Sequence, residues 1–189
     1  MKDEPIVLFK TQAEWHDWLD RNYSQQEGIW LLFAKKSSKK VSLTYPEAME
    51  EALCYGWIDG LTHAHDEDFY ALRYTPRRKT SVWSKVNIAK VEALIAAKRM
   101  QPSGFAVIET AKASGSWQNA YESSKDMTVP EDFQKELDKN PKAKEFFASL
   151  NKINIYTILF RIQTAKKPET RAARITNLIE KLNKGEKFH

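Results

Sequence analysis

A chain of 189 residues, 42% hydrophobic and 29% charged, has room for one full domain or a domain with a small appendage, and its balance is globular, not disordered. The net charge of +5 is a weak basic bias that suits an anionic partner and equally suits a protein kept soluble by charge. The single cysteine, Cys54, excludes an intramolecular disulfide and a cysteine-rich zinc site.

The N-terminal stretch, Met1-Lys2-Asp3-Glu4-Pro5, is charged and leads into only four apolar residues, 6–9, fewer than a secretory segment needs. No run approaches the roughly 18 apolar residues of a membrane span. An intracellular, cytoplasmic protein is therefore expected. Six Trp, seven Tyr and nine Phe predict a core dominated by large rings.

Residues 6–9 are a short strand candidate. Thr11-Gln12-Ala13-Glu14 reads as a capping box opening a helix whose apolar face is Trp15, Trp18, Leu19 and Tyr23. Residues 28–34, a continuous apolar run between Gly28 and Lys35-Lys36, predict a buried strand. Thr44-Tyr45-Pro46-Glu47 is a second capping box with Pro in the first turn, and the helix it opens ends near Gly56. Alternation over residues 69–75 predicts a further strand, with Phe69, Ala71 and Arg73 opposite Tyr70, Leu72 and Tyr74.

From residue 81 onward the pattern is helical. Ser84 precedes a helix with Ile88, Val91, Leu94 and Ile95 facing inward. Ser103 precedes another with Phe105, Ile108 and Ala111 inward and Gly115 as its stop. Residues 123–128 are polar and aperiodic and mark a boundary. Beyond it lie helical patterns around Phe133 and Leu137, around Phe146, Phe147 and Leu150, and over 155–162, then a last one after the break at Pro168. The fold class expected is α+β: a small, mostly antiparallel sheet packed by helices over residues 1–122, followed by an all-helical part over 128–189.

Two stretches concentrate polar and aromatic residues: 53–60, Leu-Cys-Tyr-Gly-Trp-Ile-Asp-Gly, and 75–87, which holds Thr75-Pro76-Arg77-Arg78-Lys79-Thr80-Ser81-Val82-Trp83-Ser84. Arg77 and Arg78 stand before a helix whose N-cap is Ser81 or Ser84. Free N–H groups and two guanidinium forks there would make an anion cradle. The commoner reading pairs these arginines with Asp59, Asp66 or Glu67. Asp59, beside Trp57, is either a functional acid or a loop-capping acceptor. Cys54 reads as buried filler more than as a nucleophile, which would require a base such as His63 or His65. His63-Ala64-His65 could share one metal ion if extended, yet its acidic neighbours read better as an exposed turn, and no metal is expected. The basic patches Lys35-Lys36, Lys39-Lys40 and Arg77-Arg78-Lys79, with Trp83 and Tyr74 close by, lack any nucleic-acid-binding signature. No phosphate-binding glycine loop or nucleophile motif is present, so no cofactor is expected. Arg171 and Arg174, three apart, share a helix face that would suit a second anion or a partner.

These same stretches, with Trp30-Leu31 before them and Gly115-Ser116-Trp117, Val129-Pro130 and Ala165-Lys166-Lys167-Pro168-Glu169-Thr170-Arg171 after, resemble the YdeI/OmpD-associated family, also called bacteriocin-protection proteins. The resemblance spans almost the whole chain. It implies two parts, the second beginning near residue 128, and a link to bacteriocin protection or envelope stress. It implies no catalytic residues, because the family name specifies no reaction. Two functions remain in play. One is a protein that binds an anionic small molecule or peptide through Trp57, Asp59, Arg77, Arg78, Ser81 and Trp83, with a protein partner as a further option. The other is a small enzyme with Asp59 as acid or base, assisted by Ser81 or Cys54. Nucleic-acid binding is a third and weaker reading.

Overall fold

The computed structural model describes residues 4–25, 27–123, 125–165 and 167–188. They form two compact units. One holds the chain up to Trp83 together with Asn87–Gln118, and the other holds Ser84–Val86 together with the chain from Asn119.

The first unit is built on a sheet of four strands in the order β1-β2-β4-β3. β1 (Ile6–Val7) runs parallel to β2 (Ile29–Ala34), which is antiparallel to β4 (Phe69–Pro76), which is antiparallel to β3 (Trp57–Ala64). The register sets Ile29 opposite Tyr74, Leu31 opposite Leu72 and Phe33 opposite Tyr70. Paired residues point to one face. That face meets α1 (Gln12–Asn22) and carries a cluster of rings: Trp15 lies 5.7 Å from Tyr74 and 6.4 Å from Trp57, and Trp18 stacks on Trp15 at 5.2 Å. Both buried indole N–H groups find carbonyls, Trp15 Nε1 donating to Ala48 at 3.0 Å and Trp57 Nε1 to Tyr23 at 3.0 Å. Rings of this size each stabilise by roughly 1.5–3 kcal/mol or more on burial.

β3 is the element that sequence reading did not foresee. Only Trp57 of its residues is buried, and Gly60 and Leu61 are exposed, so it shows no alternation to read. It forms because β4 supplies a ladder, and that ladder shifts register between Asp59 and Thr62. Asp59 therefore stands in an edge strand, not at a helix end. The turn into β4 is closed by Asp66, whose Oδ1 accepts from the N–H groups of Asp68 and Phe69.

α2 (Tyr45–Cys54) opens with the full capping box, Thr44 and Glu47 each bonding the other's backbone. At α1 the box is only half made: Thr11 accepts from Glu14 N–H, while the Glu14 carboxylate reaches back to the N–H of Lys10. Glu51 of α2 is buried and fully engaged. It accepts from Gln12 at 2.8 Å, pairs with His16 at 3.0 Å and takes the Arg99 guanidinium. α3 (Lys85–Ala96) buries Val91 and Leu94, but Ile95 stays 38% exposed, and α4 (Pro102–Ala113) buries Ile108 and Ala111 but leaves Phe105 42% exposed. In both, the buried stripe is narrower than the apolar pattern suggests.

α4 lies against the C-terminal end of α2. A Cβ added to Gly104 would stand 2.2 Å from the Cys54 carbonyl oxygen, and the same oxygen accepts from Gln101 N–H at 3.0 Å. Gly56, with φ +80°, turns the chain out of α2, and a Cβ there would meet Val107 at 2.7 Å.

The second unit is helical: α5 (Glu131–Asp138), α6 (Pro141–Ser149), α7 (Lys152–Gln163) and α8 (Pro168–Asn183). Its core joins Phe133 and Leu137 to Ala143, to Ile158, Leu159 and Ile162, and to Ile175, Leu178, Ile179 and Leu182. Pro168 opens α8 at the position where a missing N–H costs nothing. Arg171 ties α8 to α5 by a fork onto Asp132, at 2.6 and 2.9 Å, and to α7 by donation to the Ile162 carbonyl at 2.9 Å.

Gly104→Ala drives a Cβ into the Cys54 carbonyl and is expected to cost about 1–3 kcal/mol, read as a lower melting temperature. The buried Tyr74 hydroxyl has no hydrogen-bond partner among the described residues. Tyr74→Phe should therefore leave stability unchanged or raise it by up to about 1 kcal/mol in urea unfolding; a clear loss would reveal a partner for the hydroxyl. The Arg171 fork holds the Asp132 carboxyl below its ordinary value of 3.8. Its contribution is whole above that value and falls away as pH drops through the lower, folded value. An acid titration of stability should thus lose part of its slope below pH 4 in Arg171→Ala.

Candidate functional site

The residues after β4 are held in place by short backbone bonds. Arg77 N–H donates to the Gly56 carbonyl at 3.0 Å, tying the loop to the end of α2. A tight turn follows, in which Ser81 N–H donates to the Arg78 carbonyl at 2.9 Å and Arg78 N–H donates to Ser81 Oγ at 3.0 Å. Ser81 therefore closes a turn within the loop, and α3 begins only at Lys85.

This loop and one face of α4 enclose a cavity of about 210 Å³. Arg77, Arg78 and Lys79 line it from the loop, with Ser81 and Trp83; Val107 and Thr110 line it from α4, and Ser116 from beyond that helix. Arg77 is buried, only 8% exposed, with its guanidinium carbon 3.6 Å from the centre of the Trp83 ring and one nitrogen donating to the Val82 carbonyl at 3.2 Å. Trp83 in turn meets Trp117 at 4.9 Å. Stacking fixes the guanidinium plane and so reduces the freedom it would lose on gripping an anion. The lining brings together three cationic side chains and three hydroxyls, and among the described residues no carboxylate shares it. Such a wall favours negative charge.

Four of the six residues singled out from the sequence, Arg77, Arg78, Ser81 and Trp83, line this cavity. The other two stand elsewhere. Trp57 is wholly buried in the ring cluster against α1, so it walls no pocket. Asp59 accepts from the Tyr45 hydroxyl at 3.1 Å, at the start of α2, and lines no part of the cavity. The cradle is also not a helix N-terminus: its second wall is the middle of α4, brought there by the close approach at Gly104. No local pattern marks Thr110, a hydroxyl that long-range packing delivers, and Ser116 stands in the sequence only as part of the Gly115-Ser116-Trp117 motif, with no role attached. Lys79 carried a signal in its place beside the two arginines.

The remaining candidates have plain structural roles. Cys54 is buried at the end of α2, and burial, with the nearby Glu51 charge, pushes its thiol up to about 12, far from a reactive thiolate. His63, in β3, lies 4.9 Å from the Trp30 ring, and His65 faces Asp66 at 3.9 Å. Among the described residues no three His, Cys, Asp or Glu side chains are placed to hold a metal ion. No helix among them is long and apolar enough to cross a membrane.

Two family models match the chain. One, described as a domain of unknown function (DUF8412), covers residues 7–107, which is more than half of the chain and includes the Trp30-Leu31 strand, the 53–60 segment and the cavity loop. The other, described as bacteriocin-protection, YdeI or OmpD-associated, covers residues 126–185 and thus all four helices of the second unit. No curated protein and no solved structure matches the chain. The chain therefore belongs to the family of that domain of unknown function, and over its last helices it carries the bacteriocin-protection, YdeI or OmpD-associated region.

Proposed function

We propose that the first unit is a cytoplasmic binding module for a small ligand bearing a carboxylate or phosphate group. The observation that carries this reading is the composition of one wall: three cations and three hydroxyls converge on a cavity with no carboxylate among its described lining residues. The volume, about 210 Å³, is below the roughly 300 Å³ at which sites for larger organic molecules begin, so a small anion or the acidic tip of a peptide fits best. Arg77, stacked on Trp83, supplies a positive charge fixed in place; Arg78 and Lys79, both exposed, supply mobile charge; Ser81 supplies a hydroxyl to a remaining oxygen. Binding is better supported than acid–base chemistry, because the lining offers donors and cations and the Asp59 carboxylate is bonded elsewhere. The family match over residues 126–185 supports placing this binding in bacteriocin protection.

Calorimetry and thermal shift at low ionic strength, with orthophosphate, acetate and short acidic peptides, test the reading. A ligand at a hundred times its dissociation constant should stabilise the natural protein by about 2.7 kcal/mol. Arg78→Ala, which removes an exposed side chain and keeps the turn's backbone bonds, should weaken that ligand about tenfold without lowering the melting temperature. Absence of a shift with every anion tried, or equal affinity in the variant, would remove the proposal.

A further inference from the structure

The second unit has a cavity of its own, about 540 Å³, between the last turn of α7 and the first turns of α8. Two guanidiniums reach it, Arg161 from α7 and Arg174 from α8, with Phe160, Leu178 and Ala173 as its apolar side. Among the described residues no carboxylate lines it. The two arginines of α8 have divergent duties. Arg171 is wholly engaged by Asp132 and the Ile162 carbonyl, which also keeps that carboxylate occupied. Arg174 uses a single nitrogen, donating to the Arg161 carbonyl at 2.6 Å and to Thr164 Oγ1 at 3.3 Å. Those bonds fix its plane, while its Nε and second amino nitrogen meet no acceptor among the described residues. Arg161 is exposed, and its guanidinium makes no hydrogen bond among the described residues, only an approach of 5.6 Å to the Phe188 ring.

We propose that this cavity binds a small organic anion, an oxyanion carried on a flat apolar body, with the oxyanion between Arg161 and Arg174 and the body against Phe160 and Leu178. The volume lies within the range of ligand sites, and a guanidinium whose plane is already fixed is suited to bidentate recognition of carboxylate or phosphate. Ala173, an exposed residue on the helix face that lines the cavity, keeps it open by being small. The inference rests on residues of the second unit alone and does not depend on the anion cavity of the first.

The test is titration calorimetry with phenyl phosphate and benzoate, beside inorganic phosphate and benzyl alcohol, on the full chain carrying Arg78→Ala, which weakens the anion cavity of the first unit so that the binding read is that of the second. At least one of the two phenyl anions should bind at least tenfold tighter than either control, and the tighter of the pair identifies the oxyanion. Arg161→Ala and Ala173→Leu should each weaken it about tenfold with unchanged melting temperature, the first by removing charge, the second by filling the space. Controls that bind as well as the phenyl anions, or affinity retained in both variants, would each overturn the assignment.

Discussion

At Gly104 the backbone of α4 passes close enough to the Cys54 carbonyl that only a hydrogen atom fits between them. A second glycine, Gly56, lets the chain leave α2 by a left-handed turn and brings Val107 within contact of that turn. The carbonyl of the same Gly56 holds Arg77. One helix end thus fixes both walls of the first cavity: α4 by its glycine, the arginine loop by a backbone bond. Chemistry at the wall is supplied by side chains, but their meeting is decided by two residues that have none.

Beneath that junction, the ring cluster of Trp15, Trp18, Trp57 and Tyr74 gives the unit its rigidity. Large rings bring polar edges into the core, and an unbonded indole N–H would cost as much as a hydrogen bond. Here the carbonyls of Ala48 and Tyr23 accept the two buried indoles, so the cluster pins α1, α2 and β3 in register as well as excluding water. Glu51 acts in a similar sense at the other side of α2, where Gln12, His16 and Arg99 surround a buried carboxylate. Removing one partner there would leave charge without compensation, which makes the cluster a structural fixture.

Much of this was legible in the chain before folding. The Thr44–Glu47 box, the apolar run of β2, the alternation of β4 and the break at Pro168 are local signals, and local signals decide local elements. β3 was not legible, since an edge strand with one buried residue has no pattern and exists by courtesy of its neighbour. The candidate site divides the same way. Arg77, Arg78, Ser81 and Trp83 cluster in sequence and remain together in space; Trp57 is drawn into the core by the rings around it, and Asp59 is carried off by the strand. The cavity in the helical unit was legible only as the spacing of Arg171 and Arg174, which by itself did not say that the first is consumed by Asp132 and the second is anchored by one nitrogen to α7.

β3 also bears on how the protein behaves in crowded solution. Its outer side is the rim of the sheet, with Leu61 63% exposed, and such a rim ordinarily invites a strand from a second molecule. The register shift between Asp59 and Thr62 interrupts the ladder midway along that rim. An incoming strand would find its regular run of donors and acceptors interrupted, and aggregation by edge-to-edge pairing is discouraged by a defect the fold has kept.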